Sequence, residues 1–347
     1  MPAIDRAPFD STLFMLALIV GPAIASYVLI LVLKPLLQRY ALAKPNARSS
    51  HSQPTPQGAG IAVIAVTAAT MALLSLTLSE FETGTIIPVL ASVVILAIVG
   101  AVDDVRTLEV FPRLAIQSLA ALIVTVTLPD AFHILPGIPI WLERALLFLA
   151  LLWFVNLTNF MDGIDWMTVV EVVPLTAAIA IFGYLGALSM SATFVALGLC
   201  GAMLGFAPLN RPVARVFLGD VGSLPIGMLL GWLLILLAQT HLAAALLLPL
   251  YYVADATVTL LRRLKNGERV FHAHRGHFYQ RALINGQSVT SITCQVLLLN
   301  IALIVLAGLT IAIDALFLHI VAVSAGVILV GWQLHRFSRT NDQYSQA

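Results

Sequence analysis

The chain has 347 residues, 60% of them hydrophobic and 10% charged, with a mean hydropathy of +0.98 and a formal net charge of +1. Soluble domains average about 45–50% apolar and about 25% charged, so this composition excludes a soluble globular core. The small net charge singles out no partner class, and no nucleic acid is expected.

Apolar runs near the ~20 residues that cross a bilayer as a helix recur along the whole chain. In order they are 12–33, 60–78, 85–102, 113–128, 141–158, 168–187, 190–208, 222–239, 242–261, 290–312 and 315–334. A barrel would instead alternate in segments of about 10 residues. The expected fold is all-α: a polytopic helical membrane protein of about eleven transmembrane helices, in one domain over 1–347. The opening MPAIDRAPFDSTLF has no charged n-region and no small-residue cleavage site. The first run is therefore expected to be a span rather than a removed signal peptide. Cys200 and Cys294 fall inside apolar runs and read as buried small hydrophobes, with no disulfide framework or zinc site.

The connections alternate between short, nearly uncharged ones and basic ones. Of the 18 Lys and Arg, all but Arg6 and Arg144 fall in the segments 34–60, 103–113, 209–221, 262–289 and the C-terminal tail. The positive-inside rule then puts the N-terminus outside and the C-terminus in the cytoplasm, as an odd number of spans requires.

The acids follow the same map. Asp103 and Asp104 sit where the third span leaves on the basic side, in AVDDVRTLEVFPR. NFMDGID places Asn159, Asp162 and Asp165 at the end of the fifth span, three apart and so near one helical stripe. Asp220 opens the eighth span in FLGDVGS, Asp255 lies in the last turns of the ninth, and FHAHRGHFYQR carries His272, His274, Arg275 and His277. Each has a structural reading as well: a turn for NFMDGID, a solvated helix end for Asp103–Asp104, an N-cap for Asp220, and an ion pair with Arg262 or Arg263 for Asp255. His133, His241 and His319 read as incidental. Convergence on one membrane face favours chemistry, because carboxylates near a bilayer are costly and clustered ones repel. Hard oxygen ligands suit Mg²⁺ or Mn²⁺, and Mg²⁺ commonly takes one or two carboxylates plus phosphate and water. A phosphate-bearing substrate is expected. The glycine-bearing span starts PTPQGAG and LGDVGS offer free N–H groups for it.

These motifs, in this order, resemble the polyprenyl-phosphate N-acetylhexosamine-1-phosphate transferases, glycosyltransferase family 4, over roughly Asn46 to Arg281. The match rests on NLTNFMDGID, AVDD, FLGDVGS, the HAHRGH loop and ARSSHSQPTPQGAG. HAHRGHFYQ is closer to the O-antigen-initiating branch than to the phospho-MurNAc-pentapeptide branch, and Trp166 stands where the family motif often has glycine. The resemblance implies a UDP-N-acetylhexosamine donor (GlcNAc, FucNAc or QuiNAc type), undecaprenyl phosphate as acceptor, Mg²⁺ dependence and release of UMP. It assigns metal to Asp220 and Asp104, catalysis to Asp103, Asp104, Asp162 and Asp165, and substrate contacts to Asn159, His272, His274, Arg275 and His277. Asp103 is the candidate to orient or deprotonate the lipid phosphate. A site on the cytoplasmic face of a bacterial inner membrane and a homodimer are expected. The rival reading, a transporter or flippase, predicts midplane charges and repeated halves, neither of which the sequence shows.

Overall fold

Twelve helices and one two-stranded antiparallel pair make up the described residues, 12–43, 54–78, 83–269 and 275–339, of the computed structural model. In chain order the elements are α1 (Thr12–Tyr40), β1 (Leu42–Ala43), β2 (Thr55–Pro56), α2 (Gly60–Thr77), α3 (Thr83–Val105), α4 (Val110–Val126) and α5 (Ile140–Met161). They continue with α6 (Met167–Tyr184), α7 (Met190–Asn210), α8 (Asp220–Leu247), α9 (Leu250–Lys265), α10 (Phe278–Ile284), α11 (Val289–Ala312) and α12 (Leu316–Ser338). The all-α polytopic expectation holds. Among the described residues, nine helices are long and apolar enough to cross a membrane.

The difference from eleven lies at α4 and α9. α4 is apolar but 17 residues long. The expected span 242–261 is divided: α8 kinks at His241 and runs on to Leu247, and α9 starts after Pro249 with 16 residues. Proline has no N–H to continue a helical ladder, which accounts for the break. α9 then turns amphipathic. Its buried residues Tyr251, Tyr252, Asp255, Ala256 and Thr259 line one face, and Arg262, Arg263 and Lys265 end it. The short α10 was not anticipated, because its seven residues are too few to show a period.

α8 is the central helix. Of its most apolar stretch 94% is buried, against 22% for α1 and α12, whose apolar side chains face outward as lipid-contacting helices do. α3, α5 and α11 pack on it. A Cβ at Gly100 would fall on the Asp220 carbonyl, and one at Gly60 on the backbone of Gly222, so α2 and α3 meet the start of α8 backbone to backbone. Gln57 bridges to Phe217, and the N–H of Gly60 donates to the Leu218 carbonyl at 2.8 Å. The PTPQGAG and FLGDVGS segments are thereby sewn together.

At the opposite end, Glu143 accepts the N–H groups of Ile134 (2.6 Å) and Leu135 (2.8 Å) and pairs with His133 at 2.8 Å. His133, read as incidental, thus helps hold the α4–α5 loop. Cys200 is buried as expected, but Cys294 is exposed on the outer face of α11.

Candidate active site

The carboxylates on the ends of α3 and α8 meet. Asp104 accepts the backbone N–H groups of Asp220 (2.8 Å) and Val221 (3.2 Å), and Gln57 Nε2 donates to it at 2.5 Å. It therefore caps α8, satisfying N–H groups that a helix start leaves free. Asp103 accepts from the Leu108 N–H at 2.5 Å and from Arg113 at 2.8 Å, and its carboxyl lies within hydrogen-bonding reach of Asp220. Arg113 also reaches Asp220 at 3.5 Å.

Two motifs separated by 61 residues join directly at Asn159, which donates to Asp220 Oδ1 at 2.8 Å and to Ser223 Oγ at 2.9 Å. Asp162 follows the end of α5 and accepts from Thr168 Oγ1 at 2.5 Å. Burial pushes its carboxyl up to about 7; Asp104 and Asp165 push the same way and the Thr168 bond opposes them. Asp165 is buried and accepts the Ala214 N–H at 3.0 Å, so it grips the loop that leads to Asp220. Trp166 adds to that grip: its N–H donates to Asn210 Oδ1 (2.8 Å) and its indole to the Ala207 carbonyl (2.7 Å). Its φ of 64° is a left-handed conformation that favours glycine, and these two bonds hold it there.

Asp255 feels the charge of Arg262, but its hydrogen bonds go elsewhere. Fully buried, it accepts the N–H groups of Phe278 (3.0 Å) and Tyr279 (3.2 Å), lies 3.2 Å from His277 Nδ1, and takes bonds from Tyr251 and Thr259. It caps α10 from another helix. α10 is docked in turn by Tyr279, whose hydroxyl donates to the Phe160 carbonyl at 3.1 Å. His277 is thus carried to the end of α5. Arg275 is half-buried, and His272 and His274 lie outside the described residues.

A groove of about 590 Å³ runs from this cluster between α4, α5 and α9. Leu114, Leu149, Leu152, Leu260 and Leu264 give it an apolar wall, and Arg113, Asn159, Asp220 and His277 a polar end. Sequence reasoning counted Arg113 only as a cytoplasmic charge and passed over Gln57 and Ser223. The available signal was Arg113 itself, a lone cation in the first turn of an otherwise apolar helix.

The fit of a divalent cation follows from charge and crowding. Three carboxylates, Asp103, Asp104 and Asp220, meet one contacting guanidinium, so ionised they leave two negative charges to be matched. Among the described residues no three His, Cys, Asp or Glu form a closed cage. Mg²⁺ needs only one or two carboxylates beside phosphate and water; Asp220 and Asp103 could supply them, whereas Asp104, expected as a ligand beside Asp220, has both oxygens engaged by the start of α8 and Gln57.

Gly219, with φ 78° and ψ 171°, sits in a region open essentially to glycine alone, and a Cβ there would run into the Asp104 carboxylate. Gly219→Ala is expected to cost about 1–3 kcal/mol of stability and to displace Asp104 from the helix it caps. Thermal unfolding in detergent, run beside turnover, should show both losses; an unchanged melting temperature would mean that the backbone relaxes freely.

A model of the glycosyl transferase family 4 matches residues 86–238. The chain is 31% identical over 291 residues to a decaprenyl-phosphate N-acetylglucosaminephosphotransferase of Mycolicibacterium smegmatis, covering 72% of this chain and 70% of that protein. It is 30% identical over 210 residues to a phospho-N-acetylmuramoyl-pentapeptide-transferase of Streptococcus pneumoniae. That match covers 55% of this chain, which spans 63% of the relative's length. A relative of the same description from Francisella philomiragia is 30% identical over 150 residues, 36% of this chain and 40% of that one.

Proposed function

We propose that this chain, which belongs to glycosyl transferase family 4, transfers an N-acetylhexosamine 1-phosphate from a UDP-sugar to a polyprenyl phosphate such as undecaprenyl phosphate, releasing UMP. The observation that carries this reading is a carboxylate cluster at the head of an apolar groove in a multi-pass membrane protein. A lipid acceptor keeps its tail among apolar walls and presents its phosphate to a soluble donor at the membrane boundary. The basic connections support a cytoplasmic boundary with the N-terminus outside by the positive-inside rule, and the bacterial relatives support an inner membrane.

An oxygen of the lipid phosphate forms a bond to the sugar-bearing phosphorus of the donor. The bond from that phosphorus to the bridging oxygen breaks, and UMP leaves with the electron pair. Positioning and electrostatics dominate such transfers. Bound Mg²⁺ or Mn²⁺ supplies charge neutralisation at the diphosphate. Asp220 and Asp103 would hold the cation, Asn159 sets the rotamer of Asp220, and Asp104 holds the start of α8 that carries Asp220. Arg113 and His277 face the incoming phosphates. Asp162, held by Thr168 beyond the end of α5, is assigned to the nucleotide side of the site. Asp165 keeps the loop before Asp220 in place. GlcNAc, FucNAc and QuiNAc are the candidate sugars, and O-antigen initiation is the process that they fit.

The test uses the full chain in detergent with undecaprenyl phosphate, Mg²⁺ and a panel of UDP-N-acetylhexosamines. UMP release that requires the lipid and one donor and stops with EDTA is the expected result. A folded protein that releases no UMP from any of them, with Mg²⁺ or Mn²⁺, would sink the reading.

A further inference from the structure

One polar side chain on the groove wall is unexplained by this chemistry. Gln117 lies on α4 in the stripe Val110, Arg113, Leu114, Gln117, whose spacing puts all four on one helix face toward the groove. It is 1% exposed, and neither its Nε2 nor its Oε1 has a hydrogen-bond partner among the described residues. Its polar neighbours differ. Asn156 donates to the Leu152 carbonyl at 2.8 Å, Trp153 to Thr257 at 3.0 Å, and Ser118 to the Leu114 carbonyl at 2.8 Å. A carboxamide brings two donors and an acceptor oxygen, and burying it unpaired is unfavourable where a leucine would fill the space without that cost. Native proteins seldom keep such a group without a use for it.

We propose that Gln117 is a positioning residue for the lipid acceptor, donating from Nε2 to an oxygen of its phosphate. The inference rests on the function proposed above. Gln117 is four residues, about 6 Å of helix rise, from Arg113. It therefore borders the groove one turn in from the polar end, where a phosphate head passes into its isoprenoid tail. A phosphate dianion offers acceptors only, so the carboxamide N–H group is the part that answers it. Donation requires the carboxamide, which is shielded from solvent in the lipid-free chain, to turn toward the groove.

The test compares the full-length parent with Gln117→Leu and Gln117→Glu in detergent, by turnover and by thermal unfolding with and without lipid. Gln117→Leu is expected to raise the acceptor KM about tenfold or more and to leave the donor KM unchanged. Without lipid its melting temperature stays level or rises, because an unpaired carboxamide has been removed. Gln117→Glu, the same shape with no N–H donor, raises the acceptor KM at least as far. The melting-temperature gain from polyprenyl phosphate shrinks in both variants, whereas any gain from the phosphate-free polyprenol does not. A Gln117→Leu protein with parental acceptor KM and parental phosphate-dependent gain overturns the proposal and leaves the transferase reading standing. A lower melting temperature in lipid-free Gln117→Leu also overturns it, assigning Gln117 to packing; Gln117→Glu decides if the leucine variant does not fold. A parent that neither turns over nor responds to the lipid phosphate overturns both readings.

Discussion

Replacing Asp220 with asparagine is expected to lower UMP release by about 10³-fold or more without unfolding the protein. Charge stabilisation by a held cation is worth several kcal/mol in a transition state, and about 1.4 kcal/mol is a factor of ten. Asparagine keeps the size of the side chain and an oxygen for Asn159, which donates to Oδ1 at 2.8 Å in the parent. Its amide N–H can replace the hydrogen bond that Asp220 shares with Asp103, so stability should hold. Turnover and thermal unfolding on one preparation would separate the two effects. Retained activity with a lowered melting temperature would make Asp220 a structural cap and move the metal elsewhere.

Asp255→Ala should have the opposite signature, a large loss of stability. The side chain is fully buried and serves the N–H groups of Phe278 and Tyr279 as well as His277 Nδ1. Removing one partner from a buried pair costs about 3–5 kcal/mol, because the groups left behind are neither solvated nor bonded. α10 would detach from α9, and with it His277 and Gln280, which border the groove. Asp255→Asn keeps one acceptor oxygen and should lose about half as much by the same reasoning. Thermal unfolding, together with protease sensitivity of the segment between α9 and α11, would show it. An Asp255→Asn protein as stable as the parent but inactive would make Asp255 a catalytic group instead.

The two aspartates differ in a way the sequence does not display. Both lie near the basic ends of apolar runs in the sequence, and both admitted a structural and a chemical reading. Their partners separate them: Asp255 is enclosed by donors, whereas Asp220 lies beside another carboxyl and borders the groove. The same distinction divides NFMDGID. Asn159 turns to Asp220, but Asp165 turns to the Ala214 N–H. Three-residue spacing suggested one shared stripe, yet α5 ends at Met161, and the residues beyond it leave the helical path.

What the sequence determined by itself was the all-α membrane architecture, the positions of most of the long helices and the gathering of acids at one end of them. Hydrophobic runs must be about as long as the bilayer is thick, so local composition marks where each one starts and stops. Only the tertiary structure decided which acid does what. Gln57 and Asp104 are 47 residues apart, and Asp104 and the Asp220 N–H are 116 apart. Whether a carboxylate caps a helix, grips a loop or lies open to a groove depends on which donors reach it across such distances. Helix ends leave N–H groups to be satisfied by whatever packs beside them. Local pattern carries no record of that neighbour, so the placing of Arg113 and Gln117 on the groove wall emerges only when α4, α5, α8 and α9 are assembled.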